Sequence, residues 1–142
     1  MIPLELTCQN EFVRVETNFD YNYVKITWLQ PPSSEIYKRE SLAFTHFAIK
    51  NNLNNILIDV RERSSLKTID QDWLVYELFP LFKNRSIRFA YLISIDDFNI
   101  MDTYKIHDYI LTNPEYNKHV AGMIFLDEAE AQNWLLEIGL YL

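Results

Sequence analysis

The chain has 142 residues, is 49% apolar and carries a net charge of −7. These values describe one globular domain, exclude a disordered chain, and argue against nucleic acid or an anionic membrane surface as a partner. Two glycines, Gly122 and Gly139, are too few for the glycine-rich loops that bind dinucleotides or phosphates. The lone Cys8 excludes an internal disulfide, a paired-cysteine redox motif and a cysteine zinc cage, so no cofactor is expected.

The first residues lack the basic-then-apolar pattern of a signal peptide. No apolar run approaches the roughly 18 residues of a membrane span. A single thiol suits a reducing compartment, and a cytoplasmic location is expected.

Residues 1–11 are expected to be loosely ordered. Phe12-Val-Arg-Val-Glu-Thr17 alternates apolar and polar, as a half-buried strand does. A turn at Asp20-Tyr-Asn22 leads to a second strand through Val24, Ile26 and Trp28, a hairpin partner that Pro31-Pro32 ends. Ser33 and Ser34 are caps for a helix with Ile36, Ala43, Phe44, Phe47 and Ala48 on its apolar face. Ile56-Leu-Ile-Asp-Val60 reads as a central strand covered on both faces.

After a polar loop, Asp70 caps a second helix carrying Trp73, Leu74, Leu78, Leu81 and Phe82, with a kink or an early end predicted at Pro80. Ile87 to Ile95 is the strongest strand signal. Asn99 to Leu111 predicts a third helix with Asp96-Asp97 before it, and Val120–Phe125 a last strand. Asp127-Glu-Ala-Glu130 opens a final helix with Ala131, Trp134, Leu135, Ile138 and Leu142 on one face. The order ββαβαβαβα predicts a single α/β domain over residues 1–142. Its central sheet of about five strands would be mixed but mostly parallel, with helices packed on it.

Three stretches resemble the STAS superfamily, the domain of anti-sigma factor antagonists and sulfate transporter tails, in its SpoIIAA-like branch of small bacterial proteins. Ile56-Leu-Ile-Asp59-Val60 resembles the central strand with its acidic residue. Ile69-Asp-Gln-Asp-Trp-Leu74 stands at the loop-to-helix turn, and Phe125 to Leu135 resembles the closing strand and helix. The resemblance implies a STAS-like fold and a non-catalytic regulatory or protein-interaction role. It also implies a departure. Antagonists of this family carry a phosphorylatable serine after an aspartate at that turn, and here Gln71 stands in its place, followed by Asp72 and the large Trp73.

The residues hold no catalytic constellation, and no enzyme is expected. No GxSxG accompanies a His and a carboxylate. His46, His107 and His119 are not spaced for zinc, and His107, Asp108 and Asp102 read as a solvated helix, so no metal is expected. A receiver-type phosphoacceptor would need a strand-end Asp and a Lys after the last strand, and Leu126-Asp-Glu128 supplies none.

The candidate surface is the loop after the central strand with the helix that follows it: Arg61, Arg63, Lys67, Asp70, Gln71 and Trp73. Ligands of open α/β sheets sit beyond the carboxyl ends of strands, and the three cations there could meet an anion. Ser64 and Ser65 lie in the same loop. The aromatic load, nine Phe, nine Tyr and three Trp, carries a second reading: a binding or carrier domain for a small apolar or anionic, lipid-like ligand. Homodimerisation through an edge strand or the Trp134–Tyr141 face stays open.

Overall fold

The structure, a computed structural model, describes residues 1–64, 66–95, 105–106, 108–109, 112–114 and 118–137. Six strands form one mixed sheet: β1 (Glu5–Gln9), β2 (Val13–Asn18), β3 (Tyr23–Trp28), β4 (Asn55–Asp59), β5 (Ile87–Leu92) and β6 (Val120–Phe125). They lie side by side in the order of the sequence. The pairs β1–β2 and β2–β3 are antiparallel, and β3 to β6 run parallel. The α/β class and the mixed, mostly parallel sheet are as expected, with one strand more.

The added strand is β1, which takes residues 5–9 out of the segment expected to be loosely ordered. All five of its residues are exposed, so it has no apolar alternation to betray it. Its backbone ladder with β2 holds it, together with a 2.8 Å bond between the Thr7 and Thr17 hydroxyls. A bulge between Leu6 and Cys8 breaks the register of this edge.

Strand alternation sorts the side chains onto two faces. Val24, Ile26, Trp28, Ile56, Phe89 and Tyr91 point to the larger core, which α1 (Ser34–Lys50) and the turn after α2 (Thr68–Trp73) cover through Tyr37, Phe44, Ala48 and Leu74. Tyr23, Leu57, Ala90 and Leu92 point the other way and pack against Ala131 and Leu135 of α3 (Glu128–Leu136). Polar anchors reinforce this second layer. Lys25 Nζ on β3 reaches Glu128 in the first turn of α3 at 2.7 Å, and Arg88 Nη2 on β5 donates to the Trp134 carbonyl at 2.6 Å.

A chain with so little glycine uses asparagine where the backbone must turn left-handed. Asn22 in the β2–β3 turn, Asn52 after α1 and Asn84 before β5 all have positive φ. Asparagine tolerates this region because its short amide bonds to local backbone.

Ser33 caps α1, its hydroxyl accepting from the Ile36 amide at 3.3 Å. The buried face of α1 differs from the expected stripe: it is Tyr37, Glu40, Ser41, Phe44, Thr45 and Ala48, with Ala43 exposed and Ile36 and Phe47 half-buried. The correct face mixes polar with apolar residues, so apolar spacing alone mislocates it. Glu40 is buried but bonded to Asn10 Nδ2 at 2.8 Å and to Arg39 at 3.1 Å.

The cap of α2 is Lys67, three residues before the expected Asp70, and no side chain bonds across it. Past Trp73 the helix widens into a π turn over Leu74–Leu78, then tightens to a 3-10 turn over Phe79–Phe82. Pro80 lacks an amide hydrogen, so the ladder cannot run on through it, which is the early end predicted there. Asp127 caps α3 as expected, accepting from the Glu130 amide at 2.9 Å.

The third helix is described only in part: residues 105, 106, 108, 109 and 112 are helical, and Ile106 is buried in the larger core. Asp96-Asp97, Asn99, Asp102, His107, Leu111 and Ser65 lie outside the described residues, as do Ile138, Tyr141 and Leu142.

Candidate functional site

The loop after β4 leaves the sheet between the two layers, and its first residues go to opposite faces. Asp59 ends β4 on the α3 side, nearly buried, and Arg61 closes on it, Nε to Oδ1 at 3.0 Å and Nη2 to Oδ2 at 2.7 Å. The same carboxylate accepts the Arg61 amide at 3.1 Å. A bidentate pair of this kind is the strong form of ion pair, and it holds the Arg61 proton more firmly than usual. A turn follows, the Arg63 amide donating to the Val60 carbonyl at 3.1 Å. Arg63 thereby turns toward the α1 side, where it is buried with its guanidinium 5.9 Å from the Tyr37 ring centre. The three cations expected to meet one anion are thus dispersed, with Arg61 engaged on the far face.

Four of the other candidates gather around Tyr37. Trp73 stands edge-on to Tyr37 with centroids 5.9 Å apart, and Tyr37 stacks on Trp28 at 5.7 Å. Lys67 and Asp70 line a small pocket of about 50 Å³ with Tyr37, Ser34 and Ser64, between the starts of α1 and α2. That volume holds a water or two. Gln71 Nε2 donates to the Leu66 carbonyl at 2.8 Å, which pins the loop to the helix that follows it.

Asp70 is 4% exposed. Its Oδ2 accepts from the Ser34 hydroxyl at 2.8 Å, while its Oδ1 is buried with no hydrogen-bond partner among the described residues. A buried carboxylate oxygen without a donor is costly, by about 1–3 kcal/mol, and such groups in native proteins call for an explanation such as a site. The pocket can therefore accept one hydrogen-bond donor at Asp70.

Sequence reasoning missed Tyr37 and Ser34. Ser33 and Ser34 were both expected as caps; Ser33 is the cap, and Ser34 bonds Asp70 instead. The signal for Tyr37 was its spacing with Ser41, Phe44 and Ala48, at i, i+4, i+7 and i+11.

The outer side of α2 and its continuation is apolar where a solvated helix would be polar. Ile69 is 65% exposed and Tyr76 66% exposed, with the half-buried Trp73 between them in sequence. Asp72 and Glu77, both exposed, lie on the same run. Beneath the helices, aromatic side chains fill the core: the interior space lined by Phe44, Leu78, Phe79 and Phe89 is about 30 Å³.

Among the described residues no three His, Cys, Asp or Glu side chains converge as metal ligands, and no helix is long and apolar enough to cross a membrane. Comparison of the chain with protein-family models, with curated proteins and with solved structures found no match.

Proposed function

We propose that this protein is a non-catalytic regulatory or protein-interaction domain, similar to the anti-sigma factor antagonists of the STAS superfamily but working without the phosphorylatable serine. The order of strands and helices supports the family likeness. At the position of the serine, Gln71 has no hydroxyl and is occupied in holding the Leu66 carbonyl.

The observation that carries the interaction reading is the exposure of Ile69 and Tyr76 on the helical run that also presents Trp73. Water-facing apolar side chains grouped on one short element mark contact surfaces more often than chance. Asp72 and Glu77 give the patch an acidic surround, so the partner face it fits has an apolar centre and a basic rim. The aromatic-rich core supports this reading over a lipid carrier. Its 30 Å³ of free space is far below the roughly 300 Å³ at which small-molecule sites begin.

The test compares the wild type with a double variant, Ile69→Ser with Tyr76→Ala, as immobilised bait in lysate of the source cells. Ile69 faces solvent and Tyr76 keeps one edge-on ring contact, to Tyr109 at 6.3 Å, so the variant's melting temperature should fall by no more than a few degrees, which thermal unfolding checks before the retention assay. A protein retained by the wild type and lost from the variant supports the proposal. Equal retention by both overturns the assignment of the surface. No retained protein, joined by a small molecule of a few hundred daltons in native mass spectrometry, overturns it in favour of a carrier.

A further inference from the structure

The opposite end of the sheet carries a second feature, independent of the surface just described. The first residues of β4, β5 and β6 frame an open bay of about 330 Å³. Its polar lining is Asn54, Asn55, Ser86, Arg88, Lys118 and His119. No carboxylate is among the described lining residues, although acidic residues outnumber basic ones in the chain, 20 to 13.

The frame is fixed by backbone. The Arg88 amide donates to the Asn54 carbonyl at 2.9 Å and the Ile87 amide to the His119 carbonyl at 2.9 Å, so the three strand starts cannot shift separately. Arg88 is also held in place, its guanidinium 4.2 Å from the Trp134 ring centre and its Nη2 on the Trp134 carbonyl. Among the described residues its Nη1 meets only the exposed Glu137, at a long 3.4 Å. An incoming anion can displace such a partner at little cost, since exposed pairs at this distance contribute little.

We propose that this bay binds a small, non-aromatic phosphate monoester. The Nη1 edge of Arg88, the Lys118 ammonium, the His119 imidazole, the Ser86 hydroxyl and the Asn54 side-chain amide in one concavity match a compact dianion with three acceptor oxygens. Its volume sits at the low end for small-molecule sites. No Phe, Tyr or Trp is among the described lining residues, which leaves no large stacking platform for a base. The negative charge of the whole chain repels a long polyanion, which points to a small molecule and away from nucleic acid.

The test is a titration of ¹⁵N-labelled protein with glycerol 3-phosphate at constant ionic strength, with glycerol and sulfate run in parallel. Saturable shifts at the amides of Asn54, Asn55, Ser86 and His119, absent with glycerol, support the proposal. In a Lys118→Gln, His119→Gln variant, whose changes lie at exposed positions, the affinity is expected to fall about tenfold or more with the rest of the spectrum unchanged. Four results overturn it: no saturable shift by about 10 mM, shifts confined to the loop at residues 61–67, equal binding by sulfate, or unchanged affinity in the variant.

Discussion

Arg61 and Asp59 form a two-pronged pair across the end of the central strand, the carboxylate side chain 5% exposed and the guanidinium 43% exposed. The asymmetry decides what each contributes. The half-exposed arginine loses little on being freed, whereas the carboxylate left behind would be buried and would keep only the residue 61 amide of its three donors from this residue. Arg61→Ala is therefore expected to cost about 1–3 kcal/mol, below the figure for a fully buried pair because water screens the arginine. Urea denaturation measures it, and Asp59→Asn in the same background should recover part of the loss. A change near zero would show that the pair does not hold the loop.

Tyr23 makes a prediction about alkaline pH. Its hydroxyl is pushed up from 10.0 to about 12, first by burial, with Glu128 and Glu16 adding repulsion and Gln132 offsetting part of it. The folded state thus keeps this proton after the unfolded state has begun to lose it. Stability should fall as pH rises from about 10 to about 12, by up to about 2–3 kcal/mol from this group. The readout is the difference between wild type and Tyr23→Phe, which isolates this hydroxyl. The variant should show the shallower fall.

Trp134 is half-buried, and it carries the Arg88 guanidinium at 4.2 Å on its ring and lies 5.8 Å from Phe125. Removing it by Trp134→Ala should cost about 2–3 kcal/mol, less than the full core value, because part of the ring already faces water. Thermal unfolding with a matched Leu135→Ala control checks the ranking. Leu135 is 1% exposed and should cost more.

Asp70 separates stability from function. Asp70→Asn keeps the acceptor for Ser34 and removes a buried charge one of whose oxygens has no donor. Stability should hold or rise by about 1 kcal/mol. If Asp70 serves the surface around Trp73, the same variant weakens partner retention while melting no earlier. A loss of several kcal/mol would mean that the carboxylate is structural.

How far the sequence could be read depended on whether a residue's environment is local. Ile87–Leu92 was plain because a strand covered on both faces is almost wholly apolar, and only Arg88 interrupts this run. Ser33 and Asp127 were plain because a cap bonds within its own turn. The strand Glu5–Gln9 left no trace because nothing covers it, and only the β2 ladder makes it a strand.

The candidate site was legible as a place but not as an arrangement. Arg61 and Arg63 are two apart, which in a strand puts them on the same side; the turn onto the Val60 carbonyl sends them to opposite faces. Tyr37 gains its importance from Trp28, Trp73 and Arg63, which come from three separate stretches of chain. No local pattern encodes a meeting of that kind.

The consecutive order of the strands also bears on how the protein is made. Each strand from β2 to β6 lies beside the one synthesised just before it, so no edge waits for a segment still inside the ribosome. Such a sheet can grow by accretion, each new strand finding its template already in place. The exception is the second layer. The face of β3, β4 and β5 that carries Tyr23, Leu57 and Ala90 stays open to water until α3, more than a hundred residues after Tyr23, arrives to cover it. During translation that face is where a chaperone would be expected to bind.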